Sequence, residues 1–129
     1  MKIGDAFLYG PSPTSKKHLH LVLTNPDANG CVLIVSVTSV YSQDKDRMDH
    51  TVLLNQGEHK FLTNKLSYVY YRGAVVKKVG DLESDEKAGL LVWHEACSKE
   101  MIDNARAGVC ASEHCTPANQ NYYKKCKDL

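Results

Sequence analysis

"KKHLHLVLTNPDANGCVLIVSVTSVY", residues 16–41, holds two strands and the turn that joins them. Successive side chains of an extended chain point to opposite faces. Leu19, Leu21 and Leu23 therefore share one face, and His18 and His20 share the other. "NPDANG", residues 25–30, is a dense cluster of turn formers. "CVLIVSVTSVY", residues 31–41, is an almost unbroken β-branched run, which predicts a central strand buried on both faces. Two imidazoles and two lysines thus stand at the mouth of one buried strand and beside another.

Working outward, "DAFLYG" reads as a short opening strand closed by Gly10 and Pro11. "SQDKDRMD", residues 42–49, reads as a polar loop. "HTVLL" is a strand, and "NQGEHKF" turns the chain at Gly57. "LSYVYYRGAVVKKV", residues 66–79, predicts one bent strand or two, broken near Gly73. Short strands filling the first 80 residues imply a mainly β fold, a small antiparallel barrel, because a curled sheet leaves fewer open edges.

Residues 84–106 read as one helix. Ser84 can cap it, Asp85 and Glu86 suit its first turn, and Gly108 can stop it. Leu90, Leu91, His94, Met101, Ile102 and Ala105 then form its apolar stripe, with His94 a hydrogen-bonded core residue. The expected organisation is one β-barrel domain over residues 1–106 with its C-terminal helix packed on it, and a cysteine-containing tail over 107–129.

The chain has 129 residues, enough to bury roughly two-thirds of its unfolded surface without disulfides. The opening "MKIGDAFLYG" has no apolar leader, and no apolar run approaches a membrane span, so a cytoplasmic protein with no membrane association is expected. Five cysteines, an odd number, fit reduced thiols better than a disulfide framework. The net charge of +1 is unevenly spread. Residues 1–80 carry ten Lys/Arg against six Asp/Glu, and residues 81–129 carry six against nine. The basic first part suits an anionic partner.

The order of these pieces resembles the MazF/PemK-like toxins. The matching stretches are "GDAFLYG", "KKHLHLVLT", "VLIVSVTSVY" and "NKLSYVYYRGAVVKKVGDL", over about residues 3–82. The resemblance implies an SH3-like barrel and a metal-independent endoribonuclease of single-stranded RNA. It implies no cofactor, a homodimer, and an antitoxin protein that holds the toxin inactive. It places the catalytic basic residue at His18 and the catalytic hydroxyl at Thr38, with Ser39 beside it. The family usually has Arg and Pro where this chain has His18 and Leu19. Either the acid/base pair has changed, or the fold is kept without the activity, and fold alone does not decide between them.

RNA cleavage by the 2′-hydroxyl needs a base, a stabiliser for the charged phosphorane and an acid for the leaving oxygen. Histidine suits acid and base roles near neutrality, lysine neutralises phosphate, and hydroxyls hydrogen-bond it. His18, Thr38, Ser39 and a second histidine, His59, are the candidate catalytic residues. Lys16, Lys17, His20, Lys60, Tyr70 and Arg72 are the candidate RNA contacts, the tyrosine by stacking on an unpaired base.

Each also has a plainer reading: rim histidines, solvated lysines, strand-end hydroxyls, a polar hairpin, core tyrosines. The alternative function is a non-catalytic SH3-like module that binds protein or nucleic acid. His18, His20, His50 and His59 could also share a metal ion. So could Cys97, Cys110, His114, Cys115 and Cys126, although their spacing lacks a paired C-x-x-C pattern. The expectation is no metal.

Overall fold

The computed structural model describes residues 1–40 and 48–129. Nine elements follow in order: β1 (Ala6–Tyr9), β2 (His18–Val22), β3 (Cys31–Ser39), β4 (Leu53–Asn55), β5 (Leu66–Lys78), α1 (Val79–Lys87), β6 (Leu91–His94), α2 (Lys99–Ala111) and α3 (Pro117–Cys126). The strands form one antiparallel sheet in the order β4-β5-β3-β2-β1-β6. β4 and β6 lie at its two edges, and no ladder among the described residues joins them. The fold is therefore mainly β, and the sheet is open where a closed barrel was expected.

β3 is central and buried on both faces, as its β-branched run predicts. Leu33, Val35 and Val37 join Leu19, Leu21, Leu23, Val69 and Tyr71 in the larger core, which Met101, Ile102, Ala105 and Val109 of α2 cover. Val32 and Ile34 face the other way, with Phe7, Val22, Leu82 of α1 and Leu91. β5 is a single long strand whose pairing with β3 slips between Ile34 and Ser36, opposite the segment that contains Gly73. Extra residues on one strand bend it there.

The single helix expected over 84–106 is not formed. Instead the segment holds the end of α1, the strand β6 and the first part of α2. α1 starts earlier, at Val79, so Ser84 lies inside it and its hydroxyl donates to the Gly80 carbonyl at 3.1 Å. Gly89, with φ +80°, stops α1 in a left-handed conformation that favours glycine. "LVWH" then pairs along β1, from Tyr9 opposite Leu91 to Ala6 opposite His94. Val92 and Trp93 remain 49% and 44% exposed on this edge strand. His94 is accordingly a half-buried strand residue and not a helical core residue. Ser98 begins α2 by accepting from the Met101 amide at 3.2 Å.

Residues 107–129, read as an irregular tail, contain the end of α2 and all of α3. Thr116 caps α3 and Pro117 follows it. The Asn119 side chain donates through Nδ2 to Ala74 O at 2.8 Å, and the Tyr122 hydroxyl donates to Asp27 at 2.8 Å, so α3 is tied to the sheet. Residues 42–47 of the expected polar loop lie outside the described residues. Its last two, Met48 and Asp49, are buried. Among the described residues, no helix is long and apolar enough to cross a membrane.

Candidate functional site

A cleft of about 410 Å³ opens at the end of the sheet where β2 begins and β3 finishes. Four segments build it. Residues 10–17 form a compact loop in which the Ser12 and Ser15 amides each donate to the other's hydroxyl at 3.1 Å. Gly10 permits this closeness, because a Cβ there would stand 2.8 Å from Ser15 Oγ and 3.0 Å from Lys16 O. The loop delivers Lys16, Lys17 and His18 to the cleft. β3 lies beside β2, with Leu19 opposite Val37, so Thr38 and Ser39 fall next to that mouth.

The β4–β5 connection supplies the facing wall. It folds back on itself through Gly57 N to Leu62 O at 3.0 Å and Leu62 N to His59 O at 2.9 Å. This places Lys60, Phe61, Thr63 and Asn64 on the cleft. His94, at the end of β6, completes it. Of the residues singled out in the sequence, the cleft gathers Lys16, Lys17, His18, Thr38, Ser39 and Lys60. Among the described residues, no acidic side chain lines it. Three ammonium groups, an exposed imidazole and the hydroxyls of Thr38, Ser39 and Thr63 give the cleft a lining chemically suited to an anion.

The other singled-out residues lie elsewhere. His59 is buried behind the wall, 4% exposed. Its Nε2–H donates to the Glu95 carbonyl at 2.7 Å, and its Nδ1 accepts from the Phe61 amide at 3.1 Å. Both ring nitrogens are thus occupied. His20 stacks on Phe7, with ring centroids 5.7 Å apart, and meets Tyr9 edge-on. Burial pushes its pKa below the usual histidine value, against a hydrogen bond to His18 O. Tyr70 is half-buried, paired opposite Ser36 and edge-on to Tyr68. Arg72 is exposed and donates to His114 Nδ1 at 3.0 Å.

Sequence reasoning missed His94, which faces His59 at 4.9 Å between ring centroids and whose Nδ1 accepts from the Glu95 amide at 3.0 Å. Glu95 also touches Lys60, accepting from its amide at 3.4 Å and pairing with its ammonium at 3.4 Å. Burial pushes the Glu95 carboxyl up, but these Lys60 contacts and the nearby His59 hold it below the ordinary range. The useful signal was "LLVWH" after Gly89, a strand pattern.

The cysteines are unpaired; Cys115 and Cys126 are buried and Cys110 is exposed. Burial and the charge of Asp5 push the Cys97 thiol up to about 11. Among the described residues, no three His, Cys, Asp or Glu side chains gather as a metal-ligand set.

Fold and site together define a mainly β protein with a basic, hydroxyl-bearing cleft at one end of an open sheet. The chain matches no protein-family model, no curated protein and no solved structure.

Proposed function

We propose that this protein is a MazF/PemK-like endoribonuclease toxin acting on single-stranded RNA without a metal ion. The observation that carries the reading is the convergence of Lys16, Lys17, His18, Thr38, Ser39 and Lys60, from three separated segments, on one cleft that no carboxylate lines among the described residues. In this reading the phosphodiester sits against Thr38, Ser39 and the ammonium groups. His18 takes the 2′ proton, the 2′ oxygen bonds to phosphorus, and the P–O5′ bond breaks. The 5′ oxygen takes a proton from a cleft lysine, leaving a 2′,3′-cyclic phosphate and a 5′-hydroxyl.

The architecture belongs to the same proposal. The bend of β5 near Gly73 supports reading the open sheet as a relative of the SH3-like barrel. A cytoplasmic site of action, a homodimer and a neutralising antitoxin accompany the toxin reading.

The test is cleavage of single-stranded RNA by purified protein in excess EDTA, with 5′ ends mapped by sequencing. Cuts at a short recurring motif, bearing 5′-hydroxyl ends, are expected. RNA binding without cleavage would make the protein a non-catalytic binding module. Neither binding nor cleavage would end both readings.

A further inference from the structure

We infer that His94 contacts the scissile phosphate as a neutral hydrogen-bond donor, through Nε2–H, and exchanges no proton during turnover. The ligand class is a phosphodiester or free phosphate oxygen. The RNA part of this inference rests on the ribonuclease reading; the donor assignment does not.

His94 ends β6 opposite Ala6 and lines the cleft with the lysines. Its Nδ1 accepts from the Glu95 amide at 3.0 Å. An amide N–H only donates, so Nδ1 carries the lone pair and the neutral ring carries its proton on Nε2. That peptide is itself held: Glu95 O accepts from His59 Nε2 at 2.7 Å, and His59 Nδ1 accepts from the Phe61 amide. His59 is therefore a positioning residue. It is a buried imidazole in one tautomer, and it fixes the segment that fixes His94.

Protonating His94 at Nδ1 would turn an N–H against the Glu95 N–H. Lys16, Lys17, Lys60 and His18 share the cleft with His94, and His59 packs against it. Glu95, its neighbour in sequence, is paired with Lys60. A fixed neutral donor suits an oxygen that gains charge in the transition state, because it needs no rearrangement as the charge develops.

The test has two readouts on the full-length protein. The first is long-range ¹⁵N NMR of the histidines. His94 should show a protonated Nε2 and a bare Nδ1. Inorganic phosphate, and separately an oligonucleotide with 2′-deoxy substitution at the cleavage position, should shift its Nε2 signal. His59→Gln should alter the His94 signals even without ligand. A His94 spectrum unmoved by either probe overturns the inference. A shift produced only by inorganic phosphate leaves the donor in place and removes RNA as its ligand.

The second readout is single-turnover cleavage. His94→Ala should slow it by roughly 10²–10³-fold, the usual loss for one such donor. His94→Gln, which keeps an N–H and cannot titrate, should recover most of the rate with an unchanged pH profile. If His94→Gln is as slow as His94→Ala and one limb of the profile disappears, His94 is an acid or base and the inference fails. If the parent protein never cuts RNA but phosphate moves the His94 Nε2 signal, the ribonuclease reading fails and the donor assignment holds.

Discussion

The Tyr71 hydroxyl donates to the Ala105 carbonyl at 2.6 Å, one helical turn before Gly108 and against its bare backbone. A Cβ on Gly108 would overlap that hydroxyl and stand 2.8 Å from Val52 Cγ2. Alanine raises helix propensity by up to about 1 kcal/mol over glycine. Overpacking a filled core costs about 1–3 kcal/mol, and here the Tyr71 oxygen is held by its own hydrogen bond. The clash should win. Gly108→Ala should lower the melting temperature by several degrees. A neutral or stabilising result in thermal denaturation would mean that α2 can move off the sheet without cost.

Asp49 and Ser112 form the second link between α2 and the sheet side. Asp49 is 5% exposed and accepts from Ser112 Oγ at 2.6 Å and from the Thr51 amide at 2.9 Å. Burial pushes its carboxyl up, but the Ser112 and Thr51 hydrogen bonds and the nearby His114 hold it below the ordinary aspartate range. The folded state then binds this proton less readily than the unfolded chain. The stability from Asp49 is complete above the unfolded pKa, about 4, and is lost as pH falls through the lower folded value. Urea midpoints should be flat near neutrality and fall in acid. Asp49→Asn should lower the neutral midpoint and flatten the acid slope. An unchanged slope would show that other carboxylates govern acid unfolding.

Gly10 makes the lysine loop possible. A Cβ there would crowd Ser15 Oγ, Lys16 O and Lys17 Cγ, at 2.8 to 3.1 Å. The Lys16 carbonyl is backbone and cannot swing aside. Gly10→Ala should displace Lys16 and Lys17 while leaving both cores intact. In fluorescence titrations, RNA affinity should fall and the dependence of log K on log salt should become shallower. Each lost phosphate contact on a single strand is worth a slope of about 0.7. A normal salt slope with weakened binding would point instead to damage elsewhere in the cleft.

The strands were legible because alternation and turn clusters are local signals. "HLHLV" and "CVLIVSVTS" carry their own burial pattern, and the slip near Gly73 was marked by the glycine itself. The run after Gly89 was not legible, because Leu91, His94, Met101 and Ile102 fit a helical stripe by spacing alone. Two different elements happen to join there in phase. The lysine and hydroxyl half of the cleft was readable because β2 and β3 are sequence neighbours that pair directly. His94 was not, because its place depends on β6 pairing with the distant β1. His59 was visible as a residue but not as a buried one, since its partners, Glu95 and Phe61, are set by tertiary packing.

His18 and His20 leave the same face of β2, yet their environments differ, and two substitutions should separate them. His18 is exposed on the cleft. His20 lies against Phe7 and Tyr9, and burial holds its pKa below the usual histidine value. His18→Ala should leave the melting temperature within error and slow RNA cleavage by roughly 10²–10⁴-fold, the range for loss of a general acid or base. His20→Ala removes a ring stacked on the Phe7 core. It should cost about 1–3 kcal/mol of stability, in line with other losses of packed aromatic contact, while the remaining folded protein cuts at near the parent rate. Lys17→Ala should only weaken binding and its salt dependence. If His20→Ala abolishes cleavage in fully folded protein while His18→Ala does not, the acid/base role belongs to the other histidine and the substrate reaches the aromatic face of the sheet.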